Sequence, residues 1–384
     1  MNFIHTAKCD KKCVYGFEYD KDPQGILWNS DEFSLSRDQF RNQRSSTYSS
    51  YRNVNGELTF DDETTNQNCK FFTFKKNHSV MCEYSHFQLR NNVKAKSESE
   101  IYIKVRSNTI AKYNSLNESS EAVFDFTRIC NVVSFDVLDD LIVAGGMEGE
   151  LLLLDTLGHV KFNTVLSQEE SRITNSVKLF SEQGIKRLLV CNNDHKIRVI
   201  DAETQKSVSE VEFQECVNDA TISNDQNLIA ACLDSINDYI VDRRSNKTIA
   251  TCVGHTDFGF SADWDPSNSF ELATGNQDLS VMVWDIRSCS SPLHVLRCYL
   301  GAGLSVKYSK NGKYLTFAES ADFFSVVDKT NIKERQVLDF FGEISGYGIL
   351  EDDPDNLRIF MGMGDPTYWS LIELHENSQT SFIL

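Results

Sequence analysis

The sequence predicts an all-β chain, a seven-bladed β-propeller that occupies residues 70–375. Short apolar runs that end in an aspartate recur, and the successive aspartates stand 46, 41, 43 and 43 positions apart. They are Asp155, Asp201, Asp242, Asp285 and Asp328. Turn residues separate short strand-like runs within each period. A period near 43 residues is typical of propeller blades, because one such unit cannot bury its own apolar faces and must stack on its neighbours.

Composition narrows the range of functions. The 384 residues carry a formal charge of −18 and a pI near 4.9, which disfavours binding to nucleic-acid phosphates. No apolar run reaches the length of a transmembrane helix, and the N-terminus lacks the apolar stretch of a signal peptide. The 11 cysteines follow no repeated spacing. We therefore expect free thiols in a cytoplasmic or nuclear protein, with no membrane or nucleic-acid partner.

Residues 1–69 are interpreted as an N-terminal extension, because strand periodicity does not run through them. Residues 14–19 have strand composition. Ser36 stands where it can cap a short helix over residues 37–51. That segment is rich in arginine, and we interpret it as a docked or solvated helix face in preference to a nucleic-acid site.

Strand-like runs then follow in order along the chain. The first blade is predicted from residues 71–74, 80–89, 101–105 and 109–113, with a charged insert at 91–100 and a polar linker at 114–121. The second, third and fourth are predicted at 132–166, 173–213 and 217–253, the fifth at 254–297 and the sixth at 304–340. The seventh shows three strands, at 344–350, 357–361 and 368–374.

A blade that is one strand short would expose an open sheet edge. We therefore expect residues 14–19 to supply the fourth strand of the seventh blade and to close the ring. Residues 381–384, in the C-terminal tail 376–384, are the less favoured alternative.

The fifth blade carries the most specific pattern. Residues 254–287 begin with Gly-His and end with Trp-Asp-Ile-Arg, and this stretch resembles one WD repeat. The indole N–H of Trp284 needs an acceptor once it is buried, and Thr274 on the preceding strand offers a hydroxyl. His255 can accept from that hydroxyl and donate to Asp278 in the following turn. We predict that these four side chains form a structural tetrad, with no catalytic role.

Further stretches resemble a largely uncharacterised WD-repeat family of fungi and plants, across roughly residues 15–375. They are Gln24-Gly25-Ile26-Leu27-Trp28, Ser36-Arg37-Asp38-Gln39-Phe40-Arg41 with Arg44, His86-Phe87-Gln88-Leu89-Arg90-Asn91, Val143-Ala144-Gly145-Gly146 with Gly149-Glu150-Leu151, Ala273-Thr274-Gly275-Asn276-Gln277-Asp278, and Phe341-Gly342-Glu343-Ile344-Ser345-Gly346. Leu27 departs from the proline that the family has there. The resemblance implies a propeller and no established chemistry.

A partner surface is predicted where the loop before each first strand and the turn between the second and third strands share one face of a propeller. On the fifth blade these positions are Phe258, Phe260 and Gln277. The corresponding turn positions of other blades are Met147, Asn193, Leu233 and Ser320. Each could equally be buried against the next blade. We expect a protein or peptide partner, and the acidic chain favours a basic one.

Two alternatives to a plain scaffold remain open. The run from Leu272 to Arg287 resembles the box of propellers that serve as substrate receptors of cullin-type ubiquitin ligases. Asp285 and Arg287 would then contact the ligase adaptor, since an arginine fork suits bidentate bonds. In other propellers that arginine pairs with a neighbouring blade instead.

The second alternative is an enzyme with a metal in the axial channel. It would need histidines around one channel mouth, and the candidates are His78, His86, His159 and His195. His5, Cys9 and Cys13 could align on one helix face but lack the usual zinc spacing and a fourth ligand. The chain shows no phosphate loop, no nucleophile elbow and no His-Glu-x-x-His. We therefore predict a non-catalytic interaction scaffold without a cofactor or a metal.

Overall fold

The computed structural model describes residues 14–15, 22–31, 34–54, 56, 58, 70–106, 108–353 and 356–377. These residues form antiparallel β-sheets and one helix, α1 (Arg37–Thr47). Ser36 caps α1 as predicted: its side chain accepts from the backbone of Gln39, whose side chain in turn accepts from the backbone of Ser36. In this part of the chain no helix has the length and apolar character needed to cross a membrane.

Five sheets have four strands each, and every strand pairs with the next one along the chain. Sheet 1 contains β3 (Val93–Ser97), β4 (Glu100–Val105), β5 (Thr109–Asn114) and β6 (Ser119–Asp125). Sheet 2 contains β7 (Val132–Leu138), β8 (Leu141–Gly146), β9 (Glu150–Asp155) and β10 (Val160–Val165). Sheet 3 contains β11 (Thr174–Glu182), β12 (Ile185–Asn192), β13 (Lys196–Asp201) and β14 (Ser207–Glu212). Sheet 4 contains β15 (Val217–Ile222), β16 (Leu228–Leu233), β17 (Asn237–Asp242) and β18 (Lys247–Val253). Sheet 5 contains β19 (Gly259–Trp264), β20 (Glu271–Asn276), β21 (Ser280–Asp285) and β22 (His294–Arg297).

The remaining strands form one eight-stranded sheet. In chain order they are β1 (Val14–Tyr15), β2 (Phe72–His78), β23 (Gly303–Tyr308), β24 (Tyr314–Glu319), β25 (Ala321–Asp328), β26 (Arg335–Leu350), β27 (Arg358–Met363) and β28 (Ser370–Glu376). The pairing order is β1-β2-β28-β27-β26-β25-β24-β23. β26 therefore belongs to both halves, pairing with β25 through its first part and with β27 from Ile344 onward.

Two glycines explain how one strand serves both halves. The backbone of Gly342 has a φ of +121° and that of Gly346 a φ of +139°, conformations that L side chains rarely adopt. The register with β27 also shifts between Ile344 and Gly346. β26 bends over these residues, so the predicted strands at 336–340 and 344–350 are present but continuous.

Apolar side chains fill the space between neighbouring sheets. Separate buried clusters join sheet 1 to sheet 2, sheet 2 to sheet 3, sheet 3 to sheet 4, sheet 4 to sheet 5, and sheet 5 to the β23–β25 strands. Another joins sheet 1 to the β26–β28 strands, and the largest lies within the eight-stranded sheet. Each sheet thus buries both faces against neighbours, as stacked repeats require.

The structure differs from two strand assignments. Residues 80–89 are not a strand, and the first strand of sheet 1 is β3, inside the predicted charged insert. Its lysines interrupt the apolar pattern because Lys94 points into a polar cavity. The predicted polar linker likewise contributes to β6, an outer strand that is largely exposed.

The strand that pairs with β28 is β2, which sequence analysis had assigned to the first blade. In the segment expected to close the ring, residues 14–15 are described and form β1, which pairs with the far side of β2. β2 is held by side chains too: His78 bonds Glu373 at 2.7 Å, and Gln336 bonds the backbone of Phe72 at 2.7 Å in both directions. The alternative at residues 381–384 lies outside the described residues.

Candidate functional site

The four predicted tetrad residues meet inside sheet 5. The indole N–H of Trp284 donates to the hydroxyl of Thr274 at 2.8 Å. His255 lies 2.8 Å from that hydroxyl through Nε2 and 2.9 Å from the carboxylate of Asp278 through Nδ1. All four side chains are buried, so the network gives each polar atom a partner where water has no access.

His255 and Asp278 shift each other's pKa within this network. Burial disfavours protonated His255, but Asp278 and the neighbouring Asp238 outweigh that cost and raise its pKa. Burial likewise disfavours ionised Asp278, yet His255 and bonds from Ser280 and Thr256 lower its pKa. Each group thus favours the charged form of the other, and the geometry is that of the predicted tetrad, whose purely structural role stays a prediction.

The predicted partner positions lie on what we call the upper face, formed by the loops before the innermost strands and the turns between the second and third strands. Gln277 and Ser320 bond the chain's own N-terminal segment there. Phe258 and Met147 pack partly buried against an apolar cluster that contains Phe260. Leu233 is buried between sheets 3 and 4, and Asn193 bonds Ser171. Whether an external partner uses these residues stays a prediction.

The N-terminal segment is anchored to the upper face by α1. Arg41 bonds Asp322 at 2.6 Å and also bonds Asp339, while Arg44 bonds Asp322 at 2.5 Å. Arg37 bonds Asp339 at 3.0 Å. The spacing of three arginines at i, i+4 and i+7 signals one helix face, but nothing in their neighbourhood of the sequence identifies the aspartates that receive them.

Apolar packing supports the same contact. Phe40 of α1 is 3% exposed and meets the ring of Phe341 edge-on at 5.0 Å. Trp28, Ile26 and Tyr368 complete this cluster. The helix is therefore fixed by buried aromatic area as well as by charge.

After α1 the chain crosses toward sheet 5. Tyr48 bonds the hydroxyl of Ser320 at 3.0 Å, and the amide of Gln277 donates to the carbonyl of Tyr51 at 2.7 Å. Asn53 makes two bonds to Asp257, at 2.9 and 3.0 Å. The upper face over sheet 5 and the β23–β26 strands is thus covered by residues 37–53.

A second segment, residues 81–90, joins this cover. Gln88 donates to the side-chain oxygen of Gln277 at 3.0 Å, and Arg90 bonds Glu343 at 2.8 Å. The rings of Tyr51 and Phe87 meet edge-on at 5.2 Å and remain 55% and 48% exposed. Sequence analysis did not single out this pair, because its members are 36 positions apart and neither the predicted helix at 37–51 nor the predicted strand at 80–89 indicates where the other lies.

An axial cavity of about 440 Å³ runs beneath the upper face, lined by β3, β7, β11, β15, β19, β23 and β26. At the upper end Leu89, Val133, Phe260 and Leu304 form a buried apolar cluster. None of the four candidate histidines lines the cavity. His78 bonds Glu373, His159 bonds Asp155, and His195 bonds the carbonyl of Gln214.

The metal alternatives therefore gain nothing from the geometry. Among the described residues, no group of three or more histidine, cysteine, aspartate or glutamate side chains is placed to hold a metal ion. His5, Cys9 and Cys13 lie outside those residues. Every cysteine that the structure describes is a free thiol.

Arg287 stays on its own sheet. It bonds Asp285 at 2.7 and 2.9 Å and stacks over the ring of Phe270 at 4.5 Å. Its side chain is 63% exposed, and the bonds from Arg287 lower the pKa of Asp285 to about 2. Sequence analysis offered two roles for Arg287, a contact with a ligase adaptor or a contact with a neighbouring blade. These bonds include no contact with a neighbouring blade.

Comparison with known proteins identifies the kind of fold. No protein-family model matches the chain. The ribosome biogenesis protein YTM1 of Pyricularia oryzae is 27% identical over 118 residues, 29% of this chain and 24% of that protein. The ribosome biogenesis protein WDR12 homolog of Nematostella vectensis is 26% identical over 141 residues, 33% and 31% of the two chains. The chain thus spans only a quarter to a third of these two relatives.

A longer match joins the chain to the uncharacterized protein C4G3.03 of Schizosaccharomyces pombe, which is 25% identical over 251 residues, 62% of this chain and 69% of that protein. Among solved structures, a WD40 propeller of the mitotic checkpoint complex superposes with a TM-score of 0.64 over 84% of this chain and 98% of its own, at 12% identity. At that identity the likeness shows the fold alone. The WD-repeat β-propeller resemblance is confirmed, whereas the ligase alternative gains no support from these proteins.

Proposed function

We propose that this chain is a non-catalytic protein-interaction scaffold built on a closed ring of seven blades. The ring accounts for two features of the packing: strands from seven places in the sequence line one axial cavity, and every neighbouring pair of sheets shares an apolar cluster. β2 supplies the fourth strand of the last blade. In such a ring each edge strand is short and both faces of every blade are covered.

The observation that carries the binding role is the exposed aromatic pair of Tyr51 and Phe87. Large aromatic side chains supply much of the energy of protein interfaces when they are held in place before binding. These two are held by Gln277, which bonds both the segment of Tyr51 and the segment of Phe87. The pair therefore costs little ordering entropy when a partner covers it.

The part of the upper face that no described residue of the N-terminal segment covers extends this surface over sheets 2, 3 and 4. Its loops expose Glu148, Glu169, Glu170 and Glu215, and Arg172 compensates one of them through its bond to Glu148. An acidic rim steers a basic segment toward the face and repels nucleic acid. The partner that fits is a protein with a basic peptide that places an apolar side chain against the aromatic pair.

The process that we propose is ribosome assembly, because two of the relatives that match part of the chain are named for ribosome biogenesis. Protein partners in that process would place the chain in the nucleus, and the nucleolus in particular. Basic peptide segments complement an acidic propeller whose net charge is −18.

The test is affinity purification of the tagged full chain from its own cells, with quantitative mass spectrometry, for the wild type and the Tyr51→Ala/Phe87→Ala double variant. We expect specific partners, ribosome assembly factors among them, to fall by about tenfold or more in the double variant. The control is Leu157→Ala/Val208→Ala, which removes two side chains that are 79% and 53% exposed elsewhere. An unchanged partner set in the aromatic variant would refute the surface, and a set without assembly factors would refute the process.

A further inference from the structure

The axial cavity is a cup with an apolar base and a polar mouth. Its base is the buried cluster of Leu89, Val133, Phe260 and Leu304 at the upper end. Its opposite end is lined by Lys310, whose side chain is 87% exposed and so reaches solvent. A molecule entering from that end would meet charged side chains first and apolar ones last.

Charged side chains from six of the lining strands form a belt between the mouth and the base. Lys94 pairs with Asp136 at 3.3 Å, and Lys178 pairs with Asp219 at 2.9 Å. Lys307 on β23 also lines the cavity, but no described carboxylate lies within ion-pairing distance of it. Its ammonium group donates only to the carbonyl of Tyr347 and lies 4.6 Å from the centre of that ring. The belt holds three lysines and three aspartates, and Lys307 and Asp263 are the two of them that form no ion pair with another described residue.

Burial shifts the pKa of both groups that lack an ion pair. Burial, with the positive charge of Lys94, lowers the pKa of Lys307 to about 7. Burial raises the pKa of Asp263, the other unpaired group of the belt, to about 6. The charged groups that line the cavity together with Lys307 are Arg90, Lys94, Asp136, Lys178, Asp219, Asp263, Lys310 and Glu351, and the ring of Tyr347 lies beside its ammonium group. Below pH 6 the cavity gains positive charge, since Lys307 is then protonated and Asp263 becomes neutral.

We propose that the cup binds a small organic carboxylate with an apolar end, whose carboxylate contacts Lys307 and whose apolar end lies against Phe260 and Leu304. Three strand positions separate Leu304 from Lys307, which is about 10 Å along a strand. The ligand therefore needs several carbon atoms between its carboxylate and its apolar end. The proposal concerns the interior of the ring and does not depend on the partner surface above it.

Binding is coupled to protonation. A carboxylate beside Lys307 favours its charged form, so the complex takes up protons when it forms near neutral pH. Affinity is expected to be highest near pH 6, where Lys307 is charged, and to fall as pH rises through 7. A site that needed an ionised Asp263 would show the opposite pH dependence, with affinity that rises as pH rises through 6.

The probe is 4-phenylbutyrate, with neutral 4-phenyl-1-butanol for comparison, titrated into the full chain at pH 6 and pH 8 by calorimetry and ligand-observed NMR. We expect binding at least about fivefold tighter at pH 6 than at pH 8, and weaker binding of the alcohol at pH 6. Lys307→Met should weaken binding of the carboxylate at pH 6 by about tenfold or more. Lys161→Met, on the exposed outer strand β10 and outside the cavity, should leave it unchanged.

Lys307→Arg keeps the proposal testable if Lys307→Met fails to fold. Its guanidinium stays charged across the range, so binding should persist at pH 8 and lose most of its pH dependence. The proposal is overturned by equal affinity in wild type and folded Lys307→Met, by equal binding of acid and alcohol, or by no detectable binding of the probe at millimolar concentration.

Discussion

Sheet 5 and the β23–β26 strands are neighbours, yet they hold their upper loops in different ways. In sheet 5 the turn carboxylate Asp278 bonds His255 and the backbone of Thr256, all within residues 254–284. In the next strands the turn carboxylate Asp322 bonds Arg41 and Arg44, which are about 280 positions away. One sheet uses a network from its own repeat, and the other uses a helix from the far end of the chain.

This difference explains what each region shows in the sequence. A network made within one repeat leaves side chains at fixed spacings, which is why the WD pattern is visible at residues 254–287. A network made between distant segments shows no such spacing, because the arginines and the aspartate that they bond lie far apart in the sequence. In the β23–β26 strands the positions that correspond to Thr274 and Trp284 are the buried apolar residues Phe317 and Val327. The positive charges that balance Asp322 come instead from Arg41 and Arg44 of α1.

The largest expected effect is on the tetrad. Trp284→Ala should lower the free energy of unfolding by about 4 kcal/mol, because it removes a fully buried indole and leaves the hydroxyl of Thr274 without its donor. Trp284→Phe keeps most of the apolar volume and should cost about 1–2 kcal/mol. Urea unfolding followed by circular dichroism measures both. If Trp284→Ala cost less than Trp284→Phe, the packing account of sheet 5 would fail.

The next effect separates the neighbouring strands from sheet 5. Asp322→Asn leaves Arg41 and Arg44 without their shared carboxylate, and we expect a loss of about 2 kcal/mol that is concentrated in α1. Hydrogen exchange should rise in Arg37–Thr47 while the amides of sheet 5 stay protected. Asp38→Asn, on the exposed side of the same helix, is the matched control. Equal exchange in the two variants would show that the ion pairs do not hold the helix.

Particular elements show how far the sequence could be interpreted. The predicted helix cap at Ser36, the strands that end at the five repeated aspartates and the bonds of the tetrad are all local, and they appear in the structure. β3 was missed because its lysines serve a polar cavity, so the apolar alternation that identifies strands is absent. The role of β2 was missed because pairing with β28 joins residues about 300 positions apart, and the sequence of neither strand identifies its partner.

The same reasoning applies to the candidate site. Gln277 was singled out from its turn position, but the structure gives it bonds to two segments whose paths no local pattern indicates. Tyr51, Phe87 and Lys307 become candidates only after folding brings distant segments together. Their exposure, or their lack of a carboxylate, depends on side chains from other blades.

A smaller effect concerns Glu319, whose carboxylate accepts the backbone N–H groups of Tyr299, Leu300 and Gly301 at 2.7 to 2.9 Å. Burial outweighs these bonds and raises its pKa from 4.5 to about 7. Between pH 4.5 and 7 the folded chain then holds more protons on Glu319 than the unfolded chain does, so this group lowers stability as pH rises through that window. Asp278, with a histidine beside it, has its pKa moved in the opposite direction.

Glu319→Gln should therefore gain stability relative to the wild type between pH 5 and pH 8, by on the order of 2 kcal/mol. Urea unfolding at the two pH values measures the change, and each protein serves as its own reference at pH 5. The amide cannot accept all three N–H groups as well as a carboxylate does, so the variant should be the less stable protein at pH 5. A constant difference across the range would mean that Glu319 titrates normally.

The smallest effect is expected at Arg287, at the end of the WD motif, and it compares an exposed residue of sheet 5 with a buried one. Arg287 is 63% exposed and bonds only Asp285 and the ring of Phe270, so Arg287→Ala should shift the melting temperature by less than about 1 °C. Trp284, three positions earlier, is buried and carries the stability of the same motif. A thermal melt beside the Trp284 variants measures the contrast. If Arg287→Ala kept this stability yet lost a bound ligase adaptor that the wild type co-purifies, the exposed end of the motif would have a binding role separate from the buried tetrad.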